Sequence, residues 1–504
     1  MLRRLRSSLA PLPSPGSALV MLAMAVALGP GVPAMFRTDG DVGRHVRVGR
    51  TILEEGRIPT RDYASHTMPG AAWTPKEWVA QVAFAAADRW TGLPGAATLA
   101  GLVFALAVGL TFASTARLGA PLAAAVGISA LSLLLQVVHL LPRPHLFTTS
   151  FAALLLMYLL IRYRQSAGLR WVAAIPFLFL LWANTHGGFP AGLALLALFS
   201  ADAWIGTRGP EIRQQRTVLA LTLALSILGT FVNPVGPAMW SHLVGHLGND
   251  YLMNLTEEFR SPDFHADWSR LLLLTIVGIG VFLGSGRTRL PLLGLALLLG
   301  TLAATLVSVR YISLFATLGL PWLTSGRRIG PSPGHPDQGE GAWPLLPLSP
   351  GLVRVHERTG PIVPLVGVVA LVLAANGPLA SRAAFSPATF PVQMMSGAGS
   401  EQSGRIFNEM EWGGYLLYEY PEIPIFLDGH ADFFGEELVR EYVTVRQGYA
   451  GWKEILDRYD VDWTLTRRSA PVNQLLDISP EWELVARDHV SALFRRVSAA
   501  SSIN

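Results

Sequence analysis

Two carboxylates, Asp39 and Asp41, stand two residues apart in the stretch Phe36-Arg37-Thr38-Asp39-Gly40-Asp41-Val42-Gly43-Arg44-His45. They follow an apolar run, at the point where a membrane-spanning helix would leave the bilayer. A helix leaving lipid has no need of acids there, and ionisable groups at a membrane edge point to function. Such a pair can take a proton from a hydroxyl or help to bridge a cation. Asp39 is equally suited to capping a helix. Arg44, His45 and Arg47 suit contact with a phosphate or a lipid headgroup, or are solvated surface.

Four further clusters carry comparable side chains. Pro142-Arg143-Pro144-His145 ends an apolar run. Its prolines fix the chain direction, and the planar fork of an arginine matches phosphate oxygens, although an interfacial arginine can also snorkel to headgroups. Trp182-Ala183-Asn184-Thr185-His186-Gly187-Gly188 breaks another apolar stretch. Irregular backbone at that depth must line protein or a water-filled cavity, so Asn184 and His186 either bind a ligand or satisfy the broken backbone. Asn233-Pro234 opens a polar segment with Glu257, Glu258 and Asp263, a second source of carboxylates for paired acid work or metal bridging, or a plain solvated loop. Arg310-Tyr311 at a span end is another phosphate contact or a snorkelling pair.

The elements that position these groups follow from composition. Of 504 residues, 51% are hydrophobic and only 15% charged, well short of the quarter or so typical of soluble domains, so the chain belongs in a membrane. It has no cysteine, which excludes disulfides and thiolate metal sites. Apolar runs predict about eleven spans, centred on 17–36, 95–114, 121–140, 146–163, 171–183, 189–206, 217–233, 269–284, 289–306, 309–323 and 361–376. The pair within 171–206 can also be read as one broken unit. Alternate threading with Arg3, Arg4 and Arg6 in the cytoplasm puts Arg117, Arg162, Arg164, Arg170, Arg208, Arg213, Arg216, Arg287, Arg289, Arg327 and Arg328 inside as well. The N-terminus is then cytoplasmic, and every cluster above faces outward.

Residues 1–376 therefore read as a transmembrane domain with outer loops at about 37–94 and 234–268 and a Pro/Gly-rich cytoplasmic linker at about 325–359. Within the first loop, Val48–Glu55 has the pattern of a short amphipathic helix on the membrane surface. Residues 378–504 read as a small extracytoplasmic α/β domain. Its expected strands are Tyr415–Tyr418, Ile423–Leu427, Trp463–Thr466 and Ala492–Phe494, and its expected helices Glu436–Gln447 and Gly451–Tyr459. Glu411-Trp412-Gly413-Gly414-Tyr415 and Asp428-Gly429-His430-Ala431-Asp432 are compact polar-aromatic motifs, the latter able to bind a sugar or cation or simply to form a turn. Walker, G-x-S-x-G, Rossmann and metal-type His/Cys patterns are missing, which removes ATP-driven transport and the common soluble chemistries.

The acidic pair at the start of a long first outer loop, Thr38-Asp39-Gly40-Asp41, followed by a surface helix, resembles the GT-C superfamily of polytopic glycosyltransferases that use polyprenyl-phosphate sugars. Stretches such as Arg143-Pro144-His145-Leu146-Phe147-Thr148, Asn184-Thr185-His186-Gly187-Gly188, Ser261-Pro262-Asp263-Phe264-His265 and Glu411-Trp412-Gly413-Gly414-Tyr415 resemble a largely uncharacterised group of bacterial membrane proteins over about 36–495. The resemblance implies a GT-C-like all-α membrane bundle in the bacterial inner membrane. It implies transfer of a sugar from a lipid-linked donor to a glycan, lipid or protein acceptor, with no nucleic acid involved. Asp41, or else Asp39, would be the base, with Asp41 preferred because His45 lies one turn beyond it. Arg44, His45, Arg143, His145, Asn184, His186, Arg310 and Tyr311 would meet substrate and phosphate. A divalent cation, magnesium or manganese, is implied for some relatives, with Glu258 and Asp263 its candidate ligands here. A transporter or flippase for lipid-linked glycans would use the same cavity without a base, and a membrane scaffold would need only the tail. An inverted repeat would favour the transporter, and none is evident in the sequence.

Overall fold

The computed structural model describes residues 14–37, 39–165, 169–205, 210–286, 288–328, 362–377, 383–397 and 404–497. Most of the expected cytoplasmic linker, with Arg3, Arg4, Arg6 and Arg208, lies outside the described residues.

Three described helices are long and apolar enough to cross a membrane: Leu93–Arg117, Leu122–His139 and Asp267–Gly284. Shorter apolar helices accompany them, including Pro15–Leu28, His145–Leu160, Val172–Thr185, Phe189–Ile205 and Leu292–Val307. Asp267–Gly284 leaves Leu274, Val277 and Val281 exposed at helical spacing, an apolar stripe suited to lipid rather than water. The first expected span, 17–36, is interrupted: its helix stops at Leu28, and Gly29-Pro30 leads into a separate short helix Gly31–Met35. The proline disfavours helical backbone in the residue before it. The stretch 171–206 is two helices, Leu169–Thr185 and Phe189–Ile205, separated at the His-Gly-Gly sequence. The expected span 309–323 is an irregular, buried succession of helical turns with Gly319 and Pro321 inside it.

The C-terminal region carries a four-stranded sheet: β1 (Ile406–Asn408), β2 (Trp463–Arg467), β3 (Trp482–Arg487) and β4 (Ser491–Arg496). The spatial order is β1-β2-β4-β3, with β1 parallel to β2 and the other pairs antiparallel. Helices Ala431–Gln447, Trp452–Arg458 and Val472–Ile478 complete it. Two expected strands are corrected. Tyr415–Tyr418 lies in a helix, Gly413–Glu419, because a short, continuously buried apolar run carries no periodicity that separates strand from helix. Ile423–Leu427 contains Pro424, which has no N–H for a ladder, and joins no strand of the sheet. Instead Ile425 bonds the first long loop, its N–H to Ala64 and its carbonyl to the N–H of His66.

That contact belongs to a larger one. The helix expected at Val48–Glu55 begins at Asp41 and runs to Glu55. It is clamped between Trp78–Thr91 and Gly413–Glu419. Glycines make the approach possible. A Cβ on Gly43 would overlap the Gly414 carbonyl, and one on Gly414 would overlap the Gly40 carbonyl. Arg50 closes the joint by donating to Asp88 at 3.0 Å through Nε, while Tyr418 donates to the same carboxylate at 2.8 Å. One apolar core accordingly runs from Leu19 and Phe104 through Val42 and Val46 to Trp412 and Tyr415.

Candidate active site

The first loop presents its two acids differently. Asp39 Oδ1 accepts the Asp41 N–H at 2.9 Å, a local turn that starts the helix. Arg143, held between Pro142 and Pro144, then grips Asp39 with both arms of its fork, Nε to Oδ2 at 2.6 Å and Nη2 to Oδ1 at 2.7 Å. The same guanidinium donates through Nη1 to Glu258 at 2.6 Å and lies 3.2 Å from Asp41 Oδ2. Burial works against the Arg143 charge, but Asp39, Asp41 and Glu258 outweigh it and hold its pKa well above the ordinary arginine value. Although Glu258 is largely buried, Arg143 and Arg310 keep its carboxyl well below the usual range.

These residues border a cleft of about 240 Å³ between the apolar helices, the two long loops and the C-terminal region. Asp41, Arg44, His45, Arg143 and His145 line it, as do His186, Glu258, Arg310 and Tyr311. Asp39 does not, since its carboxylate is shut behind Arg143 with 3% of its side chain exposed, against 14% for Asp41. Asn184 also lies off the cleft. Its amide donates to the carbonyls of Leu180 and Val232, and its oxygen accepts from Trp78 Nε1, so it satisfies the broken backbone. Asp263 is exposed and turned inward on its own loop, where it accepts the His265 N–H at 2.9 Å. It is not brought beside Glu258 as a second ligand.

His186 is oriented by its surroundings. Trp182 Nε1 donates to Thr148 Oγ1, which lies 2.8 Å from His186 Nδ1, and the Gly188 N–H donates to that same nitrogen. With Nδ1 accepting, the network assigns the ring proton to Nε2, the atom facing Arg310 and the cleft. The Gly-Gly pair is needed for this geometry, because a Cβ on Gly188 would stand 2.7 Å from Thr148 Oγ1.

The remaining wall comes from residues nearly 400 positions further on. Gly429, His430, Ala431 and Asp432 line the cleft together with Lys76, Glu77 and His246. A Cβ on Gly429 would collide with the Asp41 carboxylate, so the glycine of Asp-Gly-His serves that approach as well as a turn. Asp432 pairs with Lys76 and accepts from His242 at 2.7 Å, and these partners hold it ionised despite burial. Burial raises the Asp428 carboxyl to about 6, opposed by Arg44 and assisted by Asp41. His45 and His430 are driven well below the ordinary histidine value by burial, with Arg44 adding to it, so both are neutral.

Three of these buried groups have atoms without hydrogen-bond partners: Arg44 Nε and Nη1, His45 Nδ1 and His430 Nε2. Arg44 stands 4.0 Å from Glu77 and 3.9 Å from Asp428, too far to bond either. Groups this buried normally find partners, so they mark where a polar ligand would bond. Lys76 escapes a site search along the sequence, and so does the meeting of the 429–432 segment with Asp41, since nothing local ties position 76 or 432 to position 41. The compactness of Asp428-Gly429-His430-Ala431-Asp432 is the one signal available for the latter.

A divalent cation fits poorly. Among the described residues no three His, Asp or Glu side chains are grouped to hold one. The acids nearest one another instead surround the Arg143 guanidinium.

No protein-family model matches the sequence, and no curated protein does. The fold has solved counterparts. ArnT from Cupriavidus metallidurans bound to undecaprenyl phosphate superposes with a TM-score of 0.53 at 15% identity, over 96% of this chain and 98% of that one. Its apo state gives 0.55 at 15% identity, over 96% and 97%. The oligosaccharyltransferase AglB from Archaeoglobus fulgidus, in complex with an inhibitory peptide and a dolichol-phosphate, gives 0.51 at 11% identity, over 90% and 69%. Another structure of that enzyme, in complex with zinc and sulfate, gives 0.52 at 11% identity. These counterparts show that the chain shares the fold of ArnT and of the oligosaccharyltransferase AglB.

Proposed function

We propose that the protein transfers a sugar from a polyprenyl-phosphate-linked donor to an acceptor on the extracytoplasmic face of the bacterial inner membrane. Asp41 is the general base. About eleven spans, with residues 1–376 embedded, would place the N-terminus in the cytoplasm and the domain of residues 378–504 outside.

One observation carries the assignment. Of the two first-loop acids, Asp39 is committed to Arg143 and shut from the cleft, whereas Asp41 opens onto it. An acceptor hydroxyl beside Asp41 would give up its proton to the carboxylate as its oxygen bonds to the anomeric carbon. The bond from that carbon to the phosphate oxygen breaks, and the polyprenyl phosphate leaves as an anion. Arg310 suits this charge better than Arg143, whose fork is filled by carboxylates. Arg310 makes a 3.8 Å approach to Glu258 and a 3.3 Å approach to His186, and its guanidinium lies over the Phe259 ring at 4.7 Å. With Nε2 of His186 beside it, this corner offers donors to phosphate oxygens. Arg44, His45 and His430, which carry the partnerless atoms, line the same cleft and suit the hydroxyls of a sugar.

The test uses full-length protein in detergent with a panel of polyprenyl-phosphate sugars, scoring sugar release to water or acceptor. Asp41→Asn should lose about 10²- to 10⁴-fold in turnover while still binding the donor. Wild-type turnover in that variant would remove Asp41 from the chemistry. Saturable binding without turnover of any donor by the wild type would favour a transporter.

A further inference from the structure

The acid cluster already contains a cation. Asp39 and Asp41 from the first loop and Glu258 from the second converge on one guanidinium, at 2.6 Å, 3.2 Å and 2.6 Å respectively. Every nitrogen of the Arg143 fork faces a carboxylate. The arrangement is built from both sides. Pro142 and Pro144 restrict the backbone carrying Arg143. The Glu258 carbonyl accepts from Ser308 Oγ at 3.0 Å, which anchors the second loop. Carboxylates from two separate loops at such range repel one another unless positive charge lies between them. A divalent metal is the usual solution in sites that gather acids this way.

We propose that Arg143 takes the place of a divalent ion, joining the two outer loops and leaving Asp41 as the one first-loop acid open to the cleft. A metal would have to displace three short arginine contacts to reach the same oxygens. Arg143 is therefore a positioning residue, and the site needs no added cation. This holds whichever donor or acceptor the protein uses.

The test needs no substrate, so its outcome is separate from that of the glycosyl-transfer assay. EDTA-stripped full-length protein in neutral detergent is titrated with Mn²⁺, and free Mn²⁺ is read by electron paramagnetic resonance. Wild type should bind none up to about 1 mM, the weak end of protein cation sites. Arg143→Met keeps an apolar stem of similar length but removes the charge. It should gain one Mn²⁺ per chain with an affinity roughly 10- to 100-fold above wild type, and Arg143→Met/Glu258→Gln should lose it again. One Mn²⁺ bound by wild type and lost in Glu258→Gln would overturn the assignment, as would a folded Arg143→Met that binds none. Should Arg143→Met not fold, the wild-type titration decides alone: no bound Mn²⁺ upholds the assignment, and one lost in Glu258→Gln overturns it.

Discussion

Replacing Gly43 with alanine isolates the joint that carries Asp41. Gly43 lies inside the helix Asp41–Glu55. In an isolated helix the change would stabilise by about 1 kcal/mol, since glycine is the poorer helix former. Here the new Cβ would stand 2.8 Å from the Gly414 carbonyl carbon and 2.9 Å from Tyr418 Cβ, with the Gly414 oxygen closer still. Carbon atoms settle about 3.5–4.0 Å apart, so the two helices must separate by roughly 0.7–1.2 Å. Overpacking costs about 1–3 kcal/mol, and a backbone carbonyl cannot rotate aside as a side chain can, which selects the upper end. Net destabilisation should be about 2 kcal/mol once the helix gain is deducted. Asp41 would shift with its helix, and a displacement near 1 Å can cost about 100-fold in rate. Thermal unfolding and donor turnover, both in one detergent, measure the two effects. Gly127→Ala is the control, since nothing lies within 4 Å of its Cβ position. If Gly43→Ala matched Gly127→Ala in melting temperature and turnover, the close approach and the account of the two glycine motifs would be wrong.

Two further outcomes follow from buried acids. Asp428, raised by burial to about 6 from an ordinary 3.8, binds its proton more tightly folded than unfolded. Its penalty is absent below about pH 4, grows as pH rises to about 6, and is fully present above, at about 3 kcal/mol for a two-unit shift. Asp428→Asn should therefore flatten the fall in melting temperature between pH 4 and 6, and parallel wild-type and variant curves would refute the cause. Glu409 is fully buried and accepts from Arg446 at 2.7 Å, Tyr442 at 3.0 Å and the Arg467 N–H at 2.9 Å. Glu409→Ala leaves these donors without a partner. Breaking a buried pair costs about 3–5 kcal/mol, and the partial exposure of Arg446 puts this case at the low end. A loss under 1 kcal/mol in chemical denaturation would contradict it.

Much of the architecture is legible without coordinates. A charge content of 15% and the recurrent apolar runs fix a membrane protein, because apolar span length and basic loops are local properties of the chain. Trp463–Thr466 and Ala492–Phe494 were readable as strands, and Glu436–Gln447 as helix, because β-branched and aromatic runs and helical spacing speak for themselves. Tyr415–Tyr418 was not, since an apolar run buried on every side has no period to read.

The sequence by itself determined which residue types are available: two acids after the first apolar run, arginines at the ends of apolar runs, a glycine-broken helix and a compact Asp-Gly-His-Ala-Asp motif. Only the tertiary structure decided how they divide the work. Asp39 and Asp41 are two residues apart and chemically identical, and their difference comes from Arg143, more than a hundred positions away. Asn184 and Asp263 have the types a site would use, yet the first bonds backbone and the second its own loop. Asp432 and Lys76 meet across 356 positions. Ion pairing and desolvation depend on distance in space and on the exclusion of water, and both are set by packing that no local pattern of residues encodes.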